Sequence, residues 1–194
     1  PTLERSILSA DDLEAIANTP GVASAYGVGH TYASVSSTAE AFDARVFGLG
    51  GKIDQLPIVE GTGDIGPGET VVDVTAQLEG VELGDTVTLT PMDAELTVVG
   101  FTDSRRYVMV PTFFVDLPTW EKLHVAAVLG RVEEEGGTSA AESAEMEAGF
   151  AGSASVAAIT LEPGTTVEDV QAEFGEDFTL APPVEAARAG NGMP

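Results

Sequence analysis

Five side chains in this sequence are of the types that bind a metal or a haem iron. Imidazole, phenolate and thioether groups serve as axial ligands of haem, and imidazole also binds zinc, copper and iron. Single histidines and tyrosines are nevertheless more often packing or surface residues than ligands. Haem binding is therefore a hypothesis, and no cofactor is expected. The five candidates are His30, Tyr32, Tyr107, Met109 and His124.

Catalytic chemistry finds little support in the residue pattern. Neither His30 nor His124 stands at a recognisable spacing from a serine, aspartate or glutamate, and the chain has no cysteine, so no pair of nucleophile and base can be identified. The glycines at 48, 50 and 51 resemble a phosphate-binding loop without its Gly-Lys-Ser/Thr ending, which predicts a plain turn. We predict that the chain is not an enzyme.

Charge excludes further classes of function. The 194 residues include 32 acidic and 8 basic side chains, which give a formal net charge of −24. Such a surface repels nucleic acid and anionic membranes. A hydrophobic fraction of 43% is enough for a folded core. The longest mainly apolar stretch, residues 107–115, is far shorter than the ~20 residues of a membrane-spanning helix.

The first part of the chain predicts one helix followed by strands. Ser9 can cap a helix over residues 9–17, which Pro20 and the following glycine end. Strands are expected at 22–26, 31–37 and 44–49, with Gly27 and Gly29 in a turn between the first two.

Residues 50–121 predict antiparallel β-structure, because short β-branched stretches alternate with glycine, proline and aspartate. The expected strands cover residues 70–74, 86–90, 94–101 and 108–116. A short helix is predicted over 119–124, with Trp120 buried in the core.

Residues 130–155 differ in composition from the rest, being rich in alanine, serine, glutamate and glycine. We predict an exposed, mobile, acidic excursion that is helical over 140–148. Met146 and Phe150 are its large apolar side chains, and they either contact a partner or pack back on the domain. After this excursion, a strand at 156–161, a helix at 166–174 and a strand at 178–181 form a β-α-β unit.

The order of these elements predicts an α+β fold. The helix and strands of residues 1–49 join the β-α-β unit of residues 156–194 in one split α/β subdomain. Residues 50–129 form an inserted β-rich subdomain, and residues 130–155 form the mobile excursion.

Six motifs and their order resemble the extracytoplasmic domain, the MacB-like periplasmic core, of MacB/FtsX-type ABC transporter permeases. Each motif is weak alone, but together they cover most of the chain. They are the helix 11–16 followed by Pro20-Gly-Val22, then Pro57-Ile-Val-Glu-Gly61, Pro67-Gly-Glu-Thr-Val-Val-Asp73, Gly80-Val-Glu-Leu-Gly-Asp85, Leu96-Thr-Val-Val-Gly-Phe101 and Val108-Met-Val-Pro111.

The resemblance implies a non-catalytic domain on the outer side of the cell membrane, inserted between the first two transmembrane helices of a permease. It has a porter-like α/β subdomain and a β-rich subdomain, as the element order predicts. The implied partners are a second permease copy, cytoplasmic ATPase subunits and an exported substrate or extracellular protein. The domain would transmit ATP-driven transmembrane motion, and the isolated chain, an excised fragment, is expected to be monomeric.

Three alternatives remain open from the sequence. A haem-exporter permease would use the candidate ligands named above. A regulatory permease would sense peptide antibiotics or control a cell-wall hydrolase through this domain. Outside the family, a secreted hydrolase would use a converging pair of carboxylates that cannot be picked out among the 32 acidic residues.

Overall fold

The computed structural model describes residues 7–37, 40–51, 56–103, 110–135, 139–175 and 178–180. Within these residues, eight strands form one mixed sheet, which four α-helices accompany, so the predicted α+β class is confirmed. The strands are β1 (Val22–Ser36), β2 (Phe42–Leu49), β3 (Ile58–Gly61), β4 (Glu69–Asp73), β5 (Thr86–Thr90), β6 (Ala94–Thr102), β7 (Thr112–Asp116) and β8 (Val156–Leu161). The helices are α1 (Ala10–Ala17), α2 (Leu117–Glu135), α3 (Ala140–Phe150) and α4 (Val167–Phe174), with a 3₁₀ helix (Val74–Glu79) between β4 and β5.

Six of the strands close into a ring. In the order β1, β2, β7, β4, β6 and β5, each strand pairs with the next, and β5 pairs with β1 again. The pairs β2–β7 and β4–β6 are parallel. The antiparallel structure predicted for residues 50–121 is confirmed for the pairs β3–β6, β4–β7 and β5–β6 and is wrong for β4–β6. Parallel neighbours need a long connection, and the 3₁₀ helix and β5 provide it between β4 and β6.

The interior of the ring holds the larger of two apolar clusters. Its fully buried members include Val35, Val46, Leu89, Phe101 and Trp120. A ring of six strands is narrow enough for side chains to fill it. Ala33 and Val35 of β1 and Ala44 and Val46 of β2 pack here, beside residues that the sequence assigns to the inserted segment. The division into subdomains stays a prediction.

The smaller cluster lies at the other end of β1. It consists of Ile16 of α1, Val22 of β1, and Val170 and Phe174 of α4. Strand β8 pairs with residues 22–28 of β1 and covers this cluster. Partly buried side chains pack against it from both ends of the described chain, namely Leu8, Ala25, Ala157, Ile159, Leu161, Phe178 and Leu180.

Strand β1 connects the two clusters without interruption. It has 15 residues, which corresponds to a length of about 50 Å. The predicted turn at Gly27 and Gly29 is wrong, because both glycines lie inside the strand and neither has a positive φ. Because glycine has no side chain, other residues pack closely against the strand at both positions.

Residues 117–150 contain more helix than the sequence predicts. Helix α2 does not stop at 124 but continues to Glu135, and α3 covers Ala140–Phe150, close to the predicted 140–148. Helix α3 begins with a capping box in which the Ser139 hydroxyl accepts the Glu142 backbone N–H and the Glu142 carboxylate accepts the Ser139 N–H. The sequence of residues 125–135 does not predict a helix, because Gly130 and the run of glutamates resemble the start of a loop.

The segment after α4 is not the predicted closing strand. Residues 178–180 are described without strand pairing. The side chain of Gln171 takes the place of a neighbouring strand, because its amide donates to the Phe178 carbonyl at 2.8 Å and its carbonyl accepts the Leu180 N–H at 2.7 Å. A side chain that satisfies the backbone in this way removes the need for a β-ladder.

The capping box of α4 yields a stability prediction. Thr166 accepts the Asp169 N–H, and hydrogen bonds from the Thr166 hydroxyl and N–H lower the pKa of Asp169. Thr166→Ala is expected to cost about 1 kcal/mol at neutral pH, measured by urea unfolding with an unchanged m-value. Because the pKa of Asp169 is depressed in the folded state, the part of this advantage that comes from the hydroxyl donating to the Asp169 carboxylate should disappear as pH falls through that pKa. The bond that the hydroxyl accepts from the Asp169 N–H remains at acidic pH. An equal difference at acidic and neutral pH would contradict this explanation.

Candidate functional site

Three segments converge on Gly27 in β1. A Cβ atom at this position would lie 2.8 Å from the Ala154 Cβ, 3.1 Å from the Leu13 Cδ1 and 3.2 Å from the Leu117 Cδ2. Leu13 belongs to α1 beside the smaller cluster, whereas Leu117 packs against the larger one. We call this contact the junction, since α1, which contributes Ile16 to the smaller cluster, and Leu117, which packs against the larger one, approach the same residue of β1.

Hydrogen bonds tie the strand to the segment that precedes β8. The Ser155 N–H donates to the Val28 carbonyl at 3.0 Å, and the Ser155 hydroxyl accepts the His30 N–H at 3.0 Å. On the other side, the Gly50 N–H donates to the Gly27 carbonyl at 2.9 Å. The backbone around the junction is therefore fixed from both edges, and a movement of β1 carries these segments with it.

Trp120 of α2 seals the ring next to the junction. Its side chain is fully buried, as predicted, and it lies directly over Gly29 and Gly48. A Cβ atom at either glycine would come closer to the Trp120 side chain than real Cβ atoms approach any neighbour. Gly48 therefore packs against the Trp120 side chain, and Gly51 packs against the Tyr26 ring. These glycines allow close packing and do not form a phosphate-binding loop.

The residues expected to contact a partner lie near Trp120. The His124 ring stacks on the Trp120 indole with centroids 4.9 Å apart, and Phe150 meets His124 edge-on at 5.2 Å. Phe150 thus packs back on α2. Met146 is half-buried on α3, the helix that also carries Phe150. Partner contact by these two residues stays a prediction.

The remaining candidate ligands fall into separate places. His30 and Tyr32 lie on the outer face of the ring with ring centroids 5.1 Å apart. Because neighbouring strand residues point to opposite faces, His30 lies on the face opposite Gly29 and Trp120, and thus opposite His124. Tyr107 and Met109 lie outside the described residues.

Arg45 organises the cluster on the outer face. Its Nη1 donates to the His30 Nε2 at 2.8 Å, and its Cζ lies 3.4 Å from the centroid of the Tyr32 ring. Since a guanidinium group is a donor only, this hydrogen bond requires an unprotonated His30 Nε2. Haem ligation through that atom would first have to break the bond. The sequence analysis missed Arg45, although the alternation of β2 places it opposite the buried side chains of Ala44 and Val46.

Two open cavities border these clusters. One of about 430 Å³ is lined by Tyr32, Asp43, Arg45 and Pro91, among others, on the outer face. The second, of about 320 Å³, lies between α2 and the end of α3, where Glu121, Leu129 and Phe150 line it. In the described part of the chain, no three histidine, aspartate or glutamate side chains come together as metal ligands would. The described helices include none that is long and apolar enough to span a bilayer.

Glu121 in the second cavity yields a pH prediction. Burial raises the pKa of its carboxyl group, a hydrogen bond from the Gly152 N–H opposes this, and the Asp116 charge adds to it. A raised carboxyl pKa means that the protonated form is favoured by folding, so the group stabilises the fold below that pKa and loses this contribution as pH rises through it. Glu121→Gln should therefore be more stable than the wild type at pH ~7 and lose the advantage near pH ~4.

Melting temperatures of both proteins across this range would test the prediction. Glu95→Gln is the matched control, because it removes the same charge from an exposed position. If the two variants show the same dependence on pH, net charge rather than burial of Glu121 is the cause.

Comparisons with known proteins show the fold. No family model matches the chain, and no curated protein matches its sequence. Two solved structures match with probability 1.00, each over 87% of this chain. One is the extracellular domain of the noncanonical ABC-type transporter YknZ from Gram-positive bacteria, with a TM-score of 0.56, 13% identity and 79% of that chain covered. The other is the periplasmic region of MacB from Actinobacillus actinomycetemcomitans, with a TM-score of 0.54, 14% identity and 72% of that chain covered.

Proposed function

We propose that this chain is the extracytoplasmic domain of an ABC exporter permease and that it transmits ATP-driven motion of the membrane part to an exported substrate or partner. The observation that carries the proposal is the likeness of its fold to the extracellular domains of YknZ and MacB over 87% of the chain. The domain has no catalytic role in this proposal. ATP would be hydrolysed by cytoplasmic subunits, and a second permease copy would supply the partner domain.

The first and last described segments both pack on the smaller cluster, which supports an insertion between two membrane helices. Leu8 pairs with Ala154 through hydrogen bonds of 2.7 and 2.9 Å. Phe178 and Leu180, at the other end of the described chain, pack on the same smaller cluster. A domain that enters from one membrane helix and returns to the next needs both connections on one side. The smaller cluster is therefore the part that would face the membrane.

Transmission would follow β1 through the junction. The strand begins in the smaller cluster and ends in the larger one, and at Gly27 it is approached by Leu13 of α1 and by Leu117. Close-packed elements move as rigid bodies, because their cores do not deform continuously. A shift of the smaller cluster would therefore move the ring of strands as a rigid body, together with the exposed surface of the ring.

The absence of cysteine from this chain makes spin labelling a direct test. In the full permease with its ATPase, single labels at Glu168→Cys in α4 and Glu95→Cys in β6 would report distances between the two copies. Both distances are expected to change when an ATP analogue is trapped. Gly27→Ala, which crowds the junction, should keep the change at position 168 and reduce it at position 95.

The same experiment can overturn the proposal. If the gene encodes no membrane helices around this domain, or no ATPase purifies with the product, the permease assignment fails. If both distances change equally in the Gly27→Ala protein, the domain belongs to a permease but the junction does not transmit the motion.

A further inference from the structure

Three large apolar side chains are exposed on one side of the ring. Val59 of β3 is 56% exposed, Leu78 of the 3₁₀ helix is 86% exposed, and Leu83 in the turn before β5 is 44% exposed. Single exposed apolar residues need no explanation, but neighbouring ones mark interaction surfaces. The three residues mark one interaction surface if they are neighbours in the fold.

Contacts made by these residues and their neighbours bring the three segments together. The Gln77 amide donates to the Glu60 carboxylate at 3.2 Å, which joins the 3₁₀ helix to β3. A Cβ atom at Gly61 would lie 2.8 Å from the Leu83 Cδ1, so the turn also borders β3. Leu83 itself borders Gly61, Leu78 follows Gln77, and Val59 lies in β3, so the three residues lie on segments that meet at the end of β3. We call Val59, Leu78 and Leu83 the apolar patch.

The surroundings of the apolar patch carry charge of one sign. An exposed glutamate adjoins each member in sequence, namely Glu60, Glu79 and Glu82. Residues 56–103, which form this side of the ring, contain ten acidic residues and neither lysine nor arginine nor histidine. An apolar centre with a charged rim is the usual anatomy of a protein interface. Here the rim is uniformly negative.

We propose that the apolar patch docks a basic, amphipathic segment of a polypeptide partner. Apolar side chains of the segment would cover Leu78 and Leu83, and its lysine or arginine side chains would face the glutamate rim. A second copy of this chain is a poor occupant, because two surfaces of the same negative charge repel each other. An anionic membrane is disfavoured for the same reason. The proposal does not depend on the transport function, since it concerns the surface of this chain alone.

Binding of a defined peptide would test the proposal. The probe is a fluorescent helix of leucine and lysine, about 18 residues long, with leucines on one face. Anisotropy titration of the 194-residue chain at about 150 mM NaCl gives the dissociation constant. Leu78→Ser combined with Leu83→Ser is expected to weaken binding about tenfold or more, because the covered apolar area is lost. Glu79→Gln combined with Glu82→Gln should weaken it less and reduce its dependence on salt.

Val167→Ser is the matched control. Val167 is also exposed and also precedes a glutamate, Glu168, but it lies on α4 beside the smaller cluster. Its replacement should leave the dissociation constant unchanged within about twofold. All these positions are exposed, so the melting temperature serves to verify that each variant is folded.

Three results would overturn the proposal. If Val167→Ser weakens binding as much as the double serine variant, the peptide has no defined site. If oligolysine binds as tightly as the leucine–lysine helix, the interaction is charge attraction alone. If sedimentation shows a dimer of this chain that the double serine variant dissociates, the apolar patch is covered by a second copy instead.

Discussion

Replacement of Trp120 by alanine is expected to lower the free energy of unfolding by about 3–5 kcal/mol. The side chain is fully buried, closes the ring over Gly29 and Gly48, and supports the His124 ring by stacking. Its removal leaves a cavity between a helix and two strands whose backbones are held by the sheet. The surroundings can collapse little, which places the cost at the upper end for core residues. For a chain of this length the melting temperature should fall by roughly 6–20 °C.

Circular dichroism is the suitable measurement, because Trp120 is the single tryptophan of the chain and the variant loses the fluorescence signal. Trp120→Phe is the informative second variant. The indole Nε1–H has no acceptor among the described residues, so phenylalanine sacrifices volume without breaking a hydrogen bond and should cost less than alanine. Val167→Ala at an exposed site is the control. A loss below about 1 kcal/mol for Trp120→Ala would show that the ring is not closed by this residue.

Gly29→Ala is expected to be nearly as damaging, although it adds only one methyl group. That methyl would have to occupy space taken by the Trp120 ring, which lies between the sheet and its own helix. Overpacking of this kind costs about 1–3 kcal/mol or more. Urea unfolding followed by tryptophan fluorescence gives both the stability and the environment of the indole, which should shift if the ring is displaced.

Gly149→Ala provides the matched control for added volume. Gly149 lies in α3, and an added Cβ atom there would meet nothing within 4 Å, so alanine should stabilise the helix by up to about 1 kcal/mol. A double-mutant cycle tests the cause of the Gly29 effect. If the clash with the indole is responsible, Gly29→Ala should cost much less in the Trp120→Phe background, whereas additive costs would point to the strand itself.

Both variants bear on the proposed transmission. Trp120 covers Gly29, which lies two positions from Gly27 of the junction in β1. A permease that carries Gly29→Ala should therefore show a weakened connection between the membrane side and the ring, in addition to lower stability of the isolated domain. The stability measurement on the isolated chain and the distance measurement on the full permease separate these two effects.

Local patterns in the sequence were sufficient for several elements. The capped helices α1 and α4, the strand β8 and most strands of the ring were predicted at or near their true positions, because caps, turns and β-branched runs act through neighbours in the chain. The burial of Trp120 and the resemblance to the extracytoplasmic permease domains also followed from the sequence. The fold likeness to YknZ and MacB confirms that resemblance at the level of architecture.

Only the tertiary structure decided the features that depend on contacts between residues far apart in the sequence. Gly27 and Gly29 suggested a turn, but they continue a 15-residue strand. The space of a side chain is taken at Gly27 by Ala154 and Leu13, and at Gly29 by Trp120, which is 91 positions away. Residues 178–180 suggested a strand, but the Gln171 side chain satisfies their backbone. His30 and Tyr32 suggested iron ligands, yet Arg45 engages both. Glycine, glutamine and histidine each permit several local structures, and the contact made across the fold selects one of them.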